Sequence, residues 1–110
     1  MAEVALTPEV LELVAERFKV LAEPARLRIL NALRNGEMTV TQLMDATDLG
    51  QANVSKHLQM LHAHGFVSRR KEGLYVHYRV ADEDVFALCE IICGRLDDEV
   101  RARSALLAGG

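Results

Sequence analysis

Cysteine is scarce in this chain: Cys89 and Cys93 are the only two in 110 residues. So few exclude a secreted scaffold stapled by disulfides. Proline is equally rare. Pro8 follows Thr7 as a cap-then-proline helix start, and Pro24 ends one helix while sitting in the first turn of the next. No apolar run is long enough to span a bilayer, and the N-terminus lacks a basic-then-apolar signal pattern. No membrane partner is therefore expected, and the cytoplasm is the expected location. A Gly-rich phosphate loop is missing, as is any grouping of nucleophile, base and orienting residue, so enzymatic chemistry is not expected. Internal repeats, linkers and low-complexity stretches are also absent.

What remains is an ordinary globular composition, 50% hydrophobic and 26% charged. A single domain over residues 1–110 is expected, ordered over about 8–107, with loose ends at 1–6 and 108–110. Its core is thin enough that a partner subunit would help stabilise it. The net charge of −3 is unevenly distributed. Residues 51–80 hold Lys56, Arg69, Arg70, Lys71 and Arg79 against the single acid Glu72, whereas the flanking segments are both net acidic. Concentrated positive charge is the electrostatic footprint of phosphate binding.

The apolar pattern predicts a mainly α chain with a β-hairpin, about five helices and two strands. Val10, Leu11, Leu13, Val14, Phe18, Val20 and Leu21 give a first helix over about 8–22. Leu27, Ile29, Leu30 and Leu33 mark a second, closed by Asn35-Gly36. Thr39 reads as the N-cap of a short third helix, and a fourth begins at Gln51 or Ala52 and stops at His64-Gly65. Val54, Leu58 and Leu61 form the core stripe of that fourth helix, leaving Gln51, Asn53, Ser55, Lys56 and Gln59 outward or end-on. Two strands over 66–71 and 74–80 turn at Glu72-Gly73. A last helix over 82–107 carries Val85, Cys89, Ile92, Leu96 and Val100 as a seam suited to packing on another helix, from a second subunit.

A polar-faced helix followed by a cationic hairpin is the layout of a winged helix-turn-helix, with residues 39–80 as the part that reads double-stranded DNA. Gln51 and Asn53 are suited to two-pronged pairing with adenine, Lys56 to guanine acceptors or phosphate, and Ser55 to either. Arg69, Arg70 and Lys71 are placed for the backbone or the minor groove. Thr39 and Thr41, at the start of the supporting helix, offer hydroxyls to a phosphate. For Gln51 and Asn53 the competing reading is plain capping and solvation. His57, beside Leu58, reads as a half-buried structural residue, and His62 and His64 diverge too far to share a metal.

Three stretches carry a resemblance: Leu21-Ala-Glu-Pro-Ala-Arg-Leu-Arg-Ile-Leu30, Val54-Ser-Lys-His-Leu-Gln-Met-Leu61, and Gly65-Phe-Val-Ser-Arg-Arg-Lys-Glu-Gly73 with Tyr78-Arg-Val80. Over about residues 8–100 the chain resembles the ArsR/SmtB family of bacterial winged-helix repressors. That resemblance implies a homodimer built from the first and last helices, an imperfect inverted-repeat operator, and a ligand that changes DNA affinity. The sensing sites of the better-known members have no counterpart. Residues 37–43 lack the Cys-x-Cys of the arsenic and cadmium repressors. Residues 82–107 lack the histidines of the zinc sensors, and the second helix lacks the cysteine that persulfide and redox sensors pair with one in the last.

Cys89 and Cys93 remain, at i and i+4 on one face of the last helix. Two readings stand. Either the pair senses thiol oxidation, sulfane sulfur or a thiophilic metal or metalloid ion, or it packs as small hydrophobes in the dimer seam. Side-by-side Cβ vectors disfavour a direct disulfide within the helix. The competing functions are a same-fold regulator without thiol sensing, constitutive or tuned by a small organic effector, and a winged-helix module for an acidic protein partner.

Overall fold

The computed structural model describes residues 5–109. Helix α1 (Pro8–Leu21) begins as Thr7 and Pro8 predict, with the Thr7 hydroxyl accepting from the Val10 N–H at 3.2 Å. Helix α2 (Pro24–Leu33) follows after a two-residue break, capped by Glu23. A short strand β1 (Met38–Thr39) leads into α3 (Val40–Thr47), and α4 (Gln51–Ala63) comes next. Strands β2 (Val67–Glu72) and β3 (Tyr75–Val80) form the hairpin, and α5 (Asp84–Gly109) ends the described chain. The expectation of loose ends falls for the most part outside the described residues.

The sheet has three strands rather than the two expected, in the order β1-β3-β2 and antiparallel throughout. β1 escapes a periodicity reading because it is only two residues long, pairing Met38 with Tyr78 and Thr39 with His77. Thr39 also closes a capping box on α3. Its hydroxyl accepts from the Gln42 N–H at 3.3 Å, and the Gln42 side-chain oxygen accepts from the Thr39 N–H at 2.9 Å. The hairpin turn is Gly73-Leu74, where Gly73 takes φ +60°, a left-handed value that favours glycine.

The core gathers Ile29, Leu30 and Leu33 of α2, Leu43 of α3, and Val54, Leu58 and Leu61 of α4, with Phe66, Val67 and Val85 closing it. Of the seam on α5 only Val85 enters this core, while Cys89, Ile92, Leu96 and Val100 are exposed. The described chain is accordingly elongated, 61 Å in its longest dimension with a radius of gyration of 17.4 Å. A compact chain of this size would have about 13 Å. The excess is α5, roughly 39 Å of helix of which most lies beyond the core.

Candidate nucleic-acid interface

Helix α4 is divided lengthwise. Val54, Leu58 and Leu61 are completely buried and bolt it to α2 and α3, so the opposite face must point to solvent. That face carries Gln51, Asn53, Lys56 and Gln59, all exposed, with Ser55 half-buried at its margin. Gly50 caps the helix without a side-chain hydrogen bond, which leaves the first-turn N–H groups open at the end where Gln51 and Asn53 stand. α3 braces α4 from behind. Thr39 is half-buried and its oxygen is engaged in capping, while Thr41 is exposed.

The hairpin projects beside α4. Its register sorts the basic side chains by face: Arg69 and Lys71 oppose Tyr78 and Val76, while Arg70 and Ser68 oppose His77 and Arg79. Among the described residues Lys56, Arg69 and Lys71 form no ion pair. Arg70 differs. Its Nε donates to Glu37 Oε2 at 3.0 Å, its Nη2 pairs with the same carboxylate, and its Nη1 donates to Glu72 Oε2 at 2.7 Å. Hydrogen bonds from Arg70 hold both carboxyls below their usual range, and the two acids push the guanidinium pKa up. Arg79 donates from Nε to Ser68 Oγ at 3.0 Å. The Glu72 contact is legible from the i, i+2 spacing on one strand face. Glu37, 33 positions away, leaves no local signal.

His57 is half-buried on α4 as expected, with Nδ1 3.4 Å from Arg26 Nη1. Arg26 Nε donates in turn to the Val20 carbonyl at 2.6 Å, so one guanidinium joins the end of α1 to α4. Burial first, then Arg26, lowers the His57 pKa. A guanidinium N–H can only donate, so His57 Nδ1 accepts from Arg26, a role that favours the uncharged ring. His64 donates from Nδ1 to the Met60 carbonyl at 3.0 Å.

Both cysteines are exposed on α5. Cys89 lines an apolar groove of about 310 Å³ with Phe18, Leu27, Val85, Leu88 and Ile92, and also a second cavity with Leu30, Asn31 and Arg34, so it borders both α1 and α2. Nearby, Arg34 stacks 4.9 Å from the Phe86 ring centre and reaches Glu90 at 3.0 Å, tying α2 to the first turns of α5. Among the described residues no three His, Cys, Asp or Glu side chains converge as a metal site requires. Two thiols of one chain fall short of the three or four ligands a tightly held thiophilic ion takes. Among the described residues no helix is long and apolar enough to cross a membrane.

Residues 23–69, from the start of α2 into β2, match the model of the bacterial regulatory protein arsR family. The chain is 36% identical over 102 residues to the HTH-type transcriptional regulator Rv0324 of Mycobacterium tuberculosis. That match takes in 90% of this chain but only 45% of the relative's length. It is 34% identical over 96 residues to the transcriptional repressor SmtB homolog of Synechocystis, covering 83% of this chain and 73% of that protein. In three dimensions it resembles the homodimeric winged helix-turn-helix DNA-binding domain of Mb0332 from Mycobacterium bovis, a possible ArsR-family regulator. That likeness has a TM-score of 0.74 at 34% identity, over 93% of this chain and 95% of the other. Family model, relatives and architecture agree, and this chain belongs to the ArsR family of winged helix-turn-helix transcriptional regulators.

Proposed function

We propose that this protein is a dimeric transcriptional repressor that binds an inverted-repeat operator and is released by a signal read at Cys89 and Cys93. The observation that carries the DNA-binding part is the division of α4. A fully buried stripe fixes the helix, an exposed face of Gln51, Asn53, Lys56 and Gln59 is left for base edges, and a cationic hairpin stands alongside. In this reading α4 lies in the major groove, Gln51 and Asn53 meet bases, and Lys56 meets guanine or phosphate. Arg69 and Lys71 hold the flanking backbone. The exposed apolar residues of α1 and α5 supply the subunit interface, which the homodimeric Mb0332 domain supports. A two-fold dimer presents its two α4 helices to the two halves of a palindrome.

The signal reading rests on two thiols sharing one exposed helix face within the proposed interface. A change there, by oxidation, sulfur transfer or an ion whose ligand set the second subunit completes, would alter how the subunits meet. The spacing of the two α4 helices would change with it. Only a signal that favours one arrangement over the other shifts the equilibrium, by a coupling of about 1–3 kcal/mol.

Fluorescence anisotropy tests both parts. The reduced protein is titrated anaerobically onto labelled duplex from upstream of its own gene, before and after polysulfide, peroxide, arsenite or cadmium. Tight, salt-dependent binding is expected, abolished by one treatment in the native chain but not in Cys89→Ser or Cys93→Ser. Equal binding under every treatment sinks the thiol reading and leaves a regulator without thiol sensing. Absence of any salt-dependent binding sinks the DNA reading and leaves the protein-interaction module.

A further inference from the structure

Arg70 belongs by sequence to the basic run, yet its guanidinium is already committed. Bonds to Glu37 and Glu72 occupy Nε, Nη1 and Nη2, leaving two of its five N–H groups. Glu37 lies in the α2–β1 connection immediately before β1, so the bond ties the β1 side of the sheet, where the chain leaves the helices, to β2 of the hairpin across 33 positions. Strand alternation sets its direction. Val67 and Val80 turn one face of the ribbon toward the core, whereas Arg70 projects from the opposite face. A two-stranded ribbon has little stability of its own. Its angle against α4 is therefore governed by its attachments: the core end at Val67 and Val80, the β1 pairing, and the Glu37–Arg70–Glu72 bridge on the outer face.

We propose that Glu37 and Arg70 are positioning residues for DNA binding, holding the wing at the angle that brings Arg69 and Lys71 to phosphate. This rests on the DNA-binding reading above and refines it, because Arg70 then makes no phosphate contact and an acidic residue supports affinity for a polyanion. The rival arrangement, in which Arg70 swings onto the backbone, makes Glu37 a competitor and gives the opposite sign.

The two are separated by the salt dependence of binding to the own-promoter duplex, with a random-sequence duplex as control. Each phosphate contact contributes about 0.9 to the slope of log affinity against log salt. Arg70→Ala and Glu37→Gln should each weaken binding roughly two- to fivefold, the scale of an exposed ion pair, and leave the slope unchanged. The double variant should bind no worse than either single one. Arg69→Ala should lower the slope by about 0.9. Far-UV circular dichroism checks that each variant keeps its helices, and Glu37→Gln preserves side-chain shape. The proposal is overturned if Arg70→Ala flattens the slope as Arg69→Ala does, if Glu37→Gln tightens binding, or if neither variant changes affinity. A native chain that binds neither duplex in a salt-dependent way fails the DNA-binding reading itself.

Discussion

Replacing Ile92 by Glu tests the proposed subunit interface. Ile92 is 58% exposed in the single chain and stands in the groove with Phe18 and Leu88. Fully burying an isoleucine is worth about 1.5–3 kcal/mol, so covering the exposed part contributes roughly 0.9–1.7 kcal/mol per copy. Two-fold symmetry places the change twice in one interface, for a loss of about 2–3.5 kcal/mol. That weakens dimerisation roughly 30- to 400-fold before any cost of burying two carboxylates. Sedimentation equilibrium at micromolar protein should find a dimer for the native chain and a monomer for Ile92→Glu. Leu74→Glu is the control. Leu74 is 96% exposed, but it lies at the tip of the wing, far from this groove, so its variant should remain dimeric. A dimeric Ile92→Glu protein, or a native chain that sediments as a monomer, would refute the assignment of this face.

Leu58→Ala removes a completely buried side chain beneath the exposed face of α4. It should cost about 2–5 kcal/mol and lower Tm by more than roughly 8 °C in calorimetry. Thr39→Ala breaks the capping box on α3 and should cost about 1 kcal/mol, measured by urea unfolding. The depressed His57 pKa makes stability pH-dependent. Its contribution is full above the ordinary value of 6.5 and is lost as pH falls through the lower folded value, because the unfolded chain takes the proton first. Thermal melts from about pH 7.5 to 5.5 should fall more steeply for the native chain than for His57→Gln, which keeps an acceptor toward Arg26 but does not titrate.

Much of the helical framework was legible because it obeys local rules. Thr7, Pro8 and Thr39 announce helix starts, and the spacing of Val54, Leu58 and Leu61 separates the buried from the open side of α4. β1 was not legible, since two residues carry no period and the pairing partner lies about forty positions on. The commitment of Arg70 was hidden for the same reason. Composition counts its charge as available, but Glu37 reaches it only once the chain has folded. The His57–Arg26 link likewise depends on α2 and α4 crossing. At the cysteines, spacing places both thiols on one helix face, and the fold adds that Cys89 borders the α1 groove.

Thr39 is at once the last residue of β1 and the cap of α3. Any tilt of β3 therefore pulls on the first turn of the helix that supports α4. If α4 reads the groove as proposed, the wing and α4 would act as one caliper rather than as two independent fingers. A caliper cannot adjust to a flank displaced by a base pair, so discrimination among operators would include the distance between the major-groove bases and the flanking phosphates, a measurement taken without touching the intervening sequence.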